Sequence, residues 1–435
     1  AKSLCSGVFI SQRSPEAVFQ DDIAPMIFFS PMVRLETDSH RKTVSVDLAG
    51  WFRRKAFFRK GCGCTLALGN GDNIPFRQPK EPLSSELNIS PDKFWPIGSR
   101  GPADPLPGAI DRKRLAGVLD AAFIGSTSEK SGTTRAVVVV YDGKMIAERY
   151  APGFHKDMAL PGWSISKSVT NALVGILVNK QWLSLKGPAP VPEWRRPDDP
   201  RGTITLDQLL RMSSGLKFDE VYTPPSDVTQ MFFESYDFAA FAAGMPIESK
   251  PETEWHYSSG TTNIIAAMVR RAVEKKYGST HHFAHQELFD KLRIHSAVME
   301  LDPSGTFVGS SYMFATARDW ARFGLLYLQD GVWQGERILP TGWVDYSRTP
   351  TPQAPQGKYG AHFWLNAGDP VSPSDRLWPR LPRDMFAAWG FQGQYLIIIP
   401  SRKIVLVRLG LDLKSVSWDL QFFVSEVLAA IHYPE

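Results

Sequence analysis

A serine and a lysine three residues apart, Ser164 and Lys167, open the run Gly162-Trp163-Ser164-Ile165-Ser166-Lys167-Ser168-Val169-Thr170. In a helix the two share one face near the N-terminus. An amine so placed takes the hydroxyl proton, and the positive end of the helix dipole favours the negative charge that develops when a serine attacks a carbonyl. Ser-x-x-Lys is a short pattern that occurs four times, at Ser39, Ser90, Ser164 and Ser214. Pro91 interrupts the second, Gly215 the fourth, and the first lies in a charged patch. Only Ser164 heads an apolar stripe of helical period, Val169, Ala172, Leu173, Ile176 and Leu177. A helix-capping serine beside a solvated lysine is the plain alternative.

Two further stretches carry parts that such a nucleophile needs. Tyr257, in Trp255-His256-Tyr257-Ser258-Ser259-Gly260, precedes a helical pattern. An ammonium beside its oxygen would lower its pKa and let it relay protons. In Ala388-Trp389-Gly390-Phe391-Gln392-Gly393-Gln394 the glycines allow a backbone to approach a substrate, and a strand-edge N–H could complete an oxyanion hole. Competing schemes have less to stand on. There is no Gly-x-Ser-x-Gly elbow and no His-Glu-x-x-His, and His281, His282 and His285 read as the polar face of a helix. His256 is the one histidine suited to a Ser-His pair. Cys62 and Cys64 are weaker nucleophile candidates.

The elements that must position these groups follow from periodicity. Residues 1–110 read as an irregular, Pro- and Gly-rich extension that wraps another domain, with short strands at 8–10, 44–48 and 56–59 and a loop-like stretch from 70 to 107. A helix is expected over 111–124 with Asp111 as cap, then strands at 135–141 and 144–150 joined at Asp142-Gly143, a strong hairpin signal. Helices are expected at 206–211, 238–243, 261–275, 283–292 and 316–329. Residues 359–365 and 384–389 read as extended, 394–399 and 403–409 as strands, and 417–432 as a closing amphipathic helix. Two strands early and several late must pair across the helical stretch. The prediction is an α+β fold in which terminal helices flank an antiparallel sheet. It forms one catalytic domain over 111–435, with a helical subdomain at about 165–350 and Ser164 at the seam.

The order Ser164-x-x-Lys167, Tyr257-Ser258-Ser259, then Gly390-x-x-Gly393-Gln394 before two terminal strands resembles the penicillin-recognising serine hydrolases. Within them the chain looks most like the class C β-lactamase-related branch, which includes family VIII esterases and 6-aminohexanoate-dimer hydrolases. Leu209-Leu210-Arg211-Met212-Ser213-Ser214-Gly215-Leu216 is similar to that branch's LL-x-x-x-SGL segment, and Asp319-Trp320-Ala321-Arg322-Phe323-Gly324 to its D-x-ARFG helix. The likeness spans roughly residues 110–435. It implies a β-lactamase/transpeptidase-like fold, Ser164 as acylated nucleophile, Lys167 as base, Tyr257 as proton shuttle, and the N–H groups of Ser164 and Phe391 as oxyanion hole. It also implies substrate contacts from Ser259, Trp389 and Gly390, and from the loop residues Glu220, Tyr222 and Asp227. The chain departs from β-lactamases where Ser259 replaces the Asn of Tyr-x-Asn and Ala388-Trp389-Gly390 replaces Lys-Thr-Gly. Loss of that lysine favours amide or ester hydrolysis over efficient penicillin hydrolysis, with Arg380 or Arg383 as alternative cations. A slow penicillin-binding or sensor protein is the rival expectation. Neither a metal nor an organic cofactor is needed by this mechanism.

Bulk properties bound the rest. Across 435 residues, 43% are hydrophobic, enough for a large core, and 49 Lys and Arg against 45 Asp and Glu are interspersed, which speaks against a nucleic-acid partner. No apolar run is long enough to span a bilayer. The partner expected is a small amide or ester, with a homodimer left open. Cys5, Cys62 and Cys64 are the only cysteines; a disulfide from Cys5 to either of the others, or three free thiols, fits the sequence. A start without Met and a possible disulfide point to a periplasmic or secreted protein rather than a cytoplasmic one.

Overall fold

The computed structural model describes residues 1–27, 30–68, 90–124, 133–372, 374–412 and 418–433. Pro75, Pro79 and Pro82 of the loop-like stretch, and Ser417 at the start of the expected last helix, lie outside them.

The N-terminal region holds more regular structure than its composition suggests. Helix α1 (Lys2–Phe9) packs on a four-stranded antiparallel meander of β1 (Val33–Asp38), β2 (Thr43–Leu48), β3 (Phe52–Arg59) and β4 (Gly63–Leu66). The strand expected at 8–10 is therefore wrong. Leu4 and Cys5 are buried, with Val8 and Phe9 packed beside them, a helical rather than an alternating spacing, and together with Val18, Val44, Ala56 and Cys64 they form a small core. Cys5 is joined to Cys64 by a disulfide, and Cys62 is free and buried. After it, residues 90–110 run along the larger domain, where Trp95 Nε1 donates to the Arg318 carbonyl at 3.2 Å and Arg322 donates to the carbonyls of Pro96 and Gly98 at 3.0 Å.

Helix α2 (Arg112–Ala122) begins at Asp111, whose carboxylate accepts the Arg114 N–H at 2.9 Å. The hairpin β5 (Thr134–Tyr141) and β6 (Lys144–Tyr150) turns at Asp142 and Gly143, both at positive φ as such a two-residue turn requires. A helical region follows, in which α3 (Ile165–Asn179), α4 (Asp227–Glu234), α5 (Phe238–Ala243), α6 (Ser259–Tyr277) and α7 (Ala317–Leu328) are the main elements. The chain returns through the short β7 (Trp364–Leu365), β8 (Phe386–Gly390), β9 (Gln394–Ile399) and β10 (Ile404–Gly410), and ends in α8 (Leu420–Ala429).

The central sheet runs β7-β8-β9-β10-β5-β6, antiparallel throughout, and β10 meets β5 with Val407 opposite Val138. Alternation sorts its side chains. Val137, Val139, Ala387, Ile397 and Leu406 face α2 and α8; Val138, Val140, Ala388, Leu396 and Val407 face α3, α7 and the helical region. This is an α+β sandwich of the β-lactamase/transpeptidase type, as the element order predicts. Of the histidines read as a polar helix face, His281 is a correction: it is buried against the Met299 carbonyl at 2.7 Å, whereas His282 and His285 stay partly exposed on the helix Thr280–Ala284 and its π-helical continuation to Phe289.

Candidate active site

Ser164 occupies the N-cap position of α3, yet its side chain makes no capping bond. Instead Lys167 Nζ donates to Ser164 Oγ at 3.2 Å, to Ser259 Oγ at 3.1 Å and to the Ser310 carbonyl at 3.1 Å. Lys167 is 1% exposed, and burial lowers its pKa to about 8 against the opposing pull of Glu220. The residue before the serine, Trp163, has φ of +47°, a left-handed conformation unusual for a bulky side chain. That sharp turn sets the hydroxyl at the helix start, beside Lys167. The other three Ser-x-x-Lys matches lie outside helices.

Tyr257 stands just before α6, its hydroxyl facing Ser164. Lys167 Nζ lies over the face of its ring, 4.7 Å from the centroid, and not against its oxygen. The expected acidification by the ammonium is therefore reversed. Burial, then the negative charge of Glu220, pushes the Tyr257 pKa far up, and only the neighbouring Ser164 hydroxyl acts the other way. Tyr257 is a neutral phenol, able to donate a proton or a hydrogen bond.

Glu220 sits closer to this chemistry than a loop residue of no regular pattern suggests. Its carboxylate accepts the Ser259 N–H at 2.7 Å and the Ser259 hydroxyl at 2.5 Å, and Tyr222 donates to it at 3.3 Å. Ser259 thus joins Glu220 to Lys167. Burial raises the Glu220 pKa, opposed by Lys167 and then by Ser259. Asp227 is not brought to Ser164. It is the first residue of α4 and accepts the Asp219 N–H at 2.8 Å, which closes the loop carrying Glu220.

The stretch after β8 forms the opposite wall. A Cβ on Gly390 would meet the Gly162 carbonyl oxygen at 2.2 Å, so only glycine lets this strand end rest on the residues before Ser164. Phe391 follows, its ring edge-on to Trp163 at 5.7 Å and stacked on Tyr222 at 5.3 Å across the mouth. The ring of Trp389 goes elsewhere. Alternation sends it to the far face of the sheet, stacked on Tyr395 at 5.6 Å. Arg383 donates to the Ala367 carbonyl at 2.6 Å, and the backbone N–H of Arg380 reaches Gln421 at 3.3 Å; no contact brings either to Ser164. His256 is exposed, with Nε2 2.5 Å from the Phe218 carbonyl, which leaves a Ser-His pair without support.

Three contributors carry no sequence signal. The Ser310 carbonyl holds Lys167, Tyr312 packs against Trp163 at 5.7 Å, and His362 Nδ1 is 2.9 Å from the Lys167 carbonyl. His362 is buried beside Lys167, with its pKa lowered to about 3, chiefly by burial. It is a neutral brace for the first turn of α3. Among the described residues no group of three or more His, Cys, Asp or Glu is placed to hold a metal ion, and no helix is long and apolar enough to cross a membrane.

Residues 122–414 match the beta-lactamase family, about two thirds of the chain. The chain belongs to the beta-lactamase family. Like that family at large, it has the general character of a serine-hydrolase-like enzyme. It is similar to the 6-aminohexanoate-dimer hydrolase of Paenarthrobacter ureafaciens, 26% identical over 304 residues, which is 63% of this chain and 72% of the relative. A Bacillus anthracis protein named as a candidate 6-aminohexanoate-dimer hydrolase superposes with a TM-score of 0.59 at 20% identity, over 79% of this chain and 88% of that one. EstCE1, named as a hydrolase with promiscuous acyltransferase activity, gives 0.56 at 16% identity, over 74% and 98%. At these identities the superpositions speak for the beta-lactamase-family fold alone.

Proposed function

We propose that the protein is a serine amidase or esterase of the class C β-lactamase-related branch, cleaving a linear amide or ester through a Ser164 acyl-enzyme. The observation that carries this reading is a buried amine with a pKa of about 8, 3.2 Å from a hydroxyl at a helix N-terminus. Neutral Lys167 removes the Ser164 proton as Oγ attacks the substrate carbonyl, and the backbone N–H groups of Ser164 and Phe391 receive the oxyanion. Tyr257 passes a proton to the departing amine or alkoxide and then helps water reach the ester. Gly390 and Ser259 line the path, with Glu220 and Tyr222 at its lip. A 6-aminohexanoate-dimer-type amide suits this site better than a β-lactam, because Ala388 stands where the carboxylate-binding lysine of β-lactamases would be. The Cys5–Cys64 disulfide supports a periplasmic or secreted location.

The test is an activity screen over p-nitrophenyl esters, short linear amides and a penicillin, with mass spectrometry of the protein after each. Turnover of ester or amide with a transient adduct on Ser164 is expected, and Ser164→Ala should lower it by roughly 10⁴-fold or more without loss of fold. A stable penicillin adduct with no ester or amide turnover would overturn the reading in favour of a penicillin-binding or sensor role.

A further inference from the structure

The charge of the chain is not spread evenly over its parts. The four-stranded meander and its turns, residues 33–66, hold eight Lys and Arg against three Asp and Glu. Its net charge of +5 exceeds the +4 of the entire chain, so the remainder is slightly acidic. The β2–β3 turn is also where the most exposed aromatic pair among the described residues lies. Trp51 is 85% exposed and its neighbour Phe52 69%.

Strand register explains why this tip is bare. Val33, Leu48 and Phe52 pair across β1, β2 and β3 and lie on the same face as Leu35, Val46, Val44 and Ala56. Helix α1 and the small core cover the second set, and the face continues past them to Phe52. Met32, 52% exposed, is held beside the tip by the Ala49 N–H, which donates to its carbonyl at 3.1 Å. Arg54 follows in β3 on the same face as Phe52, and Arg53 on the opposite face, where it is ion-paired with Glu36; both are exposed. Left-handed Ala49 and Gly50 make the tight turn that projects Trp51.

We propose that this hairpin tip docks the protein on an anionic lipid surface. A Trp and a Phe side by side, with flanking arginines, match the headgroup boundary, where aromatic rings insert and cations meet anionic lipid. A convex turn with three apolar side chains is too small for a protein partner, which needs roughly 800 Å² of flatter surface on each side. The N-terminal region also reaches the mouth of the site, where Met26 Sδ accepts from Gln392 Nε2 at 3.4 Å, next to Phe391.

The experiment is co-sedimentation of the full chain with sucrose-loaded vesicles of phosphatidylcholine alone or with 30% phosphatidylglycerol, at low and at 0.5 M salt. Binding to the anionic vesicles at low salt, weakened at high salt, is expected. Arg54→Gln should reduce it by roughly five-fold, the weight of one cation near the surface. Trp51→Ser with Phe52→Ser should remove it while leaving hydrolysis of a soluble ester and thermal stability unchanged. Equal retention on both vesicle types, or retention kept by the Trp51/Phe52 variant, would overturn the proposal. So would light scattering that shows a dimer lost in that variant, which would assign the tip to a second copy of the chain.

Discussion

Among the described residues two lysines lie buried near a glutamate, and they are wired differently. Lys2, on α1, bonds directly to Glu300, whose carboxylate also accepts from Ser6 Oγ at 2.8 Å and the Cys64 N–H at 2.6 Å. Lys167 has no charged group in direct contact; its acceptors are two hydroxyls and a carbonyl, and Glu220 stands behind one of those hydroxyls. Burial lowers the pKa of both lysines. In the first case the opposite charge is spent on holding the N-terminal helix to the large domain. In the second, a serine placed between the charges leaves the amine able to give up and regain a proton near neutral pH. The contrast separates a buried pair that anchors from one that, on the proposed function, reacts.

Lys167→Met cuts deepest on the reactive side: kcat/KM should fall on the order of 10³-fold, as for loss of a general base. The urea midpoint should stay level or rise, because a buried charge is replaced by an apolar chain of similar length. Glu300→Ala should do the reverse, with a stability loss of about 3–5 kcal/mol from an uncompensated Lys2 and an unchanged pH profile of the folded enzyme. Cys5→Ser should cost about 2–4 kcal/mol in the same denaturation experiment, since the bridge closes a long loop. The pH dependence is the finest probe. In the proposed mechanism only neutral Lys167 accepts the proton, so kcat/KM should rise with pH through about 8. Glu220 attracts the ammonium and holds that pKa up, so Glu220→Gln should move the rising limb to lower pH. A limb that stays in place would break the link through Ser259.

Those expectations rest on features that the sequence displays unequally. Period and turn chemistry made the sheet and its flanking helices legible, because Asp142-Gly143 and the apolar stripes of α3 and α8 are local signals. The pairing of Ser164 with Lys167 is local too. Glu220 was visible only by likeness, since its position depends on a loop closed by Asp227 eight residues away from Asp219. Ser310 and His362 act through a carbonyl and a buried ring, roles that no residue type announces. Trp389 was misplaced because the motif fixes the strand, whereas strand parity fixes the face. The N-terminal meander reads as irregular in the sequence because its short strands alternate weakly and depend on α1 and a disulfide for cover.

The sheet's connectivity has a consequence for synthesis on the ribosome. Strand β5 finds its central neighbour β10 only after about 270 further residues have emerged, roughly 15–55 s later at ordinary elongation rates. Until then its run of four valines has β6 on one edge and nothing on the other. A nascent chain in that state is a target for chaperones and a hazard for edge-to-edge association. Slower translation between residues 150 and 404 should therefore lower the yield of folded protein more than the same slowing after residue 410.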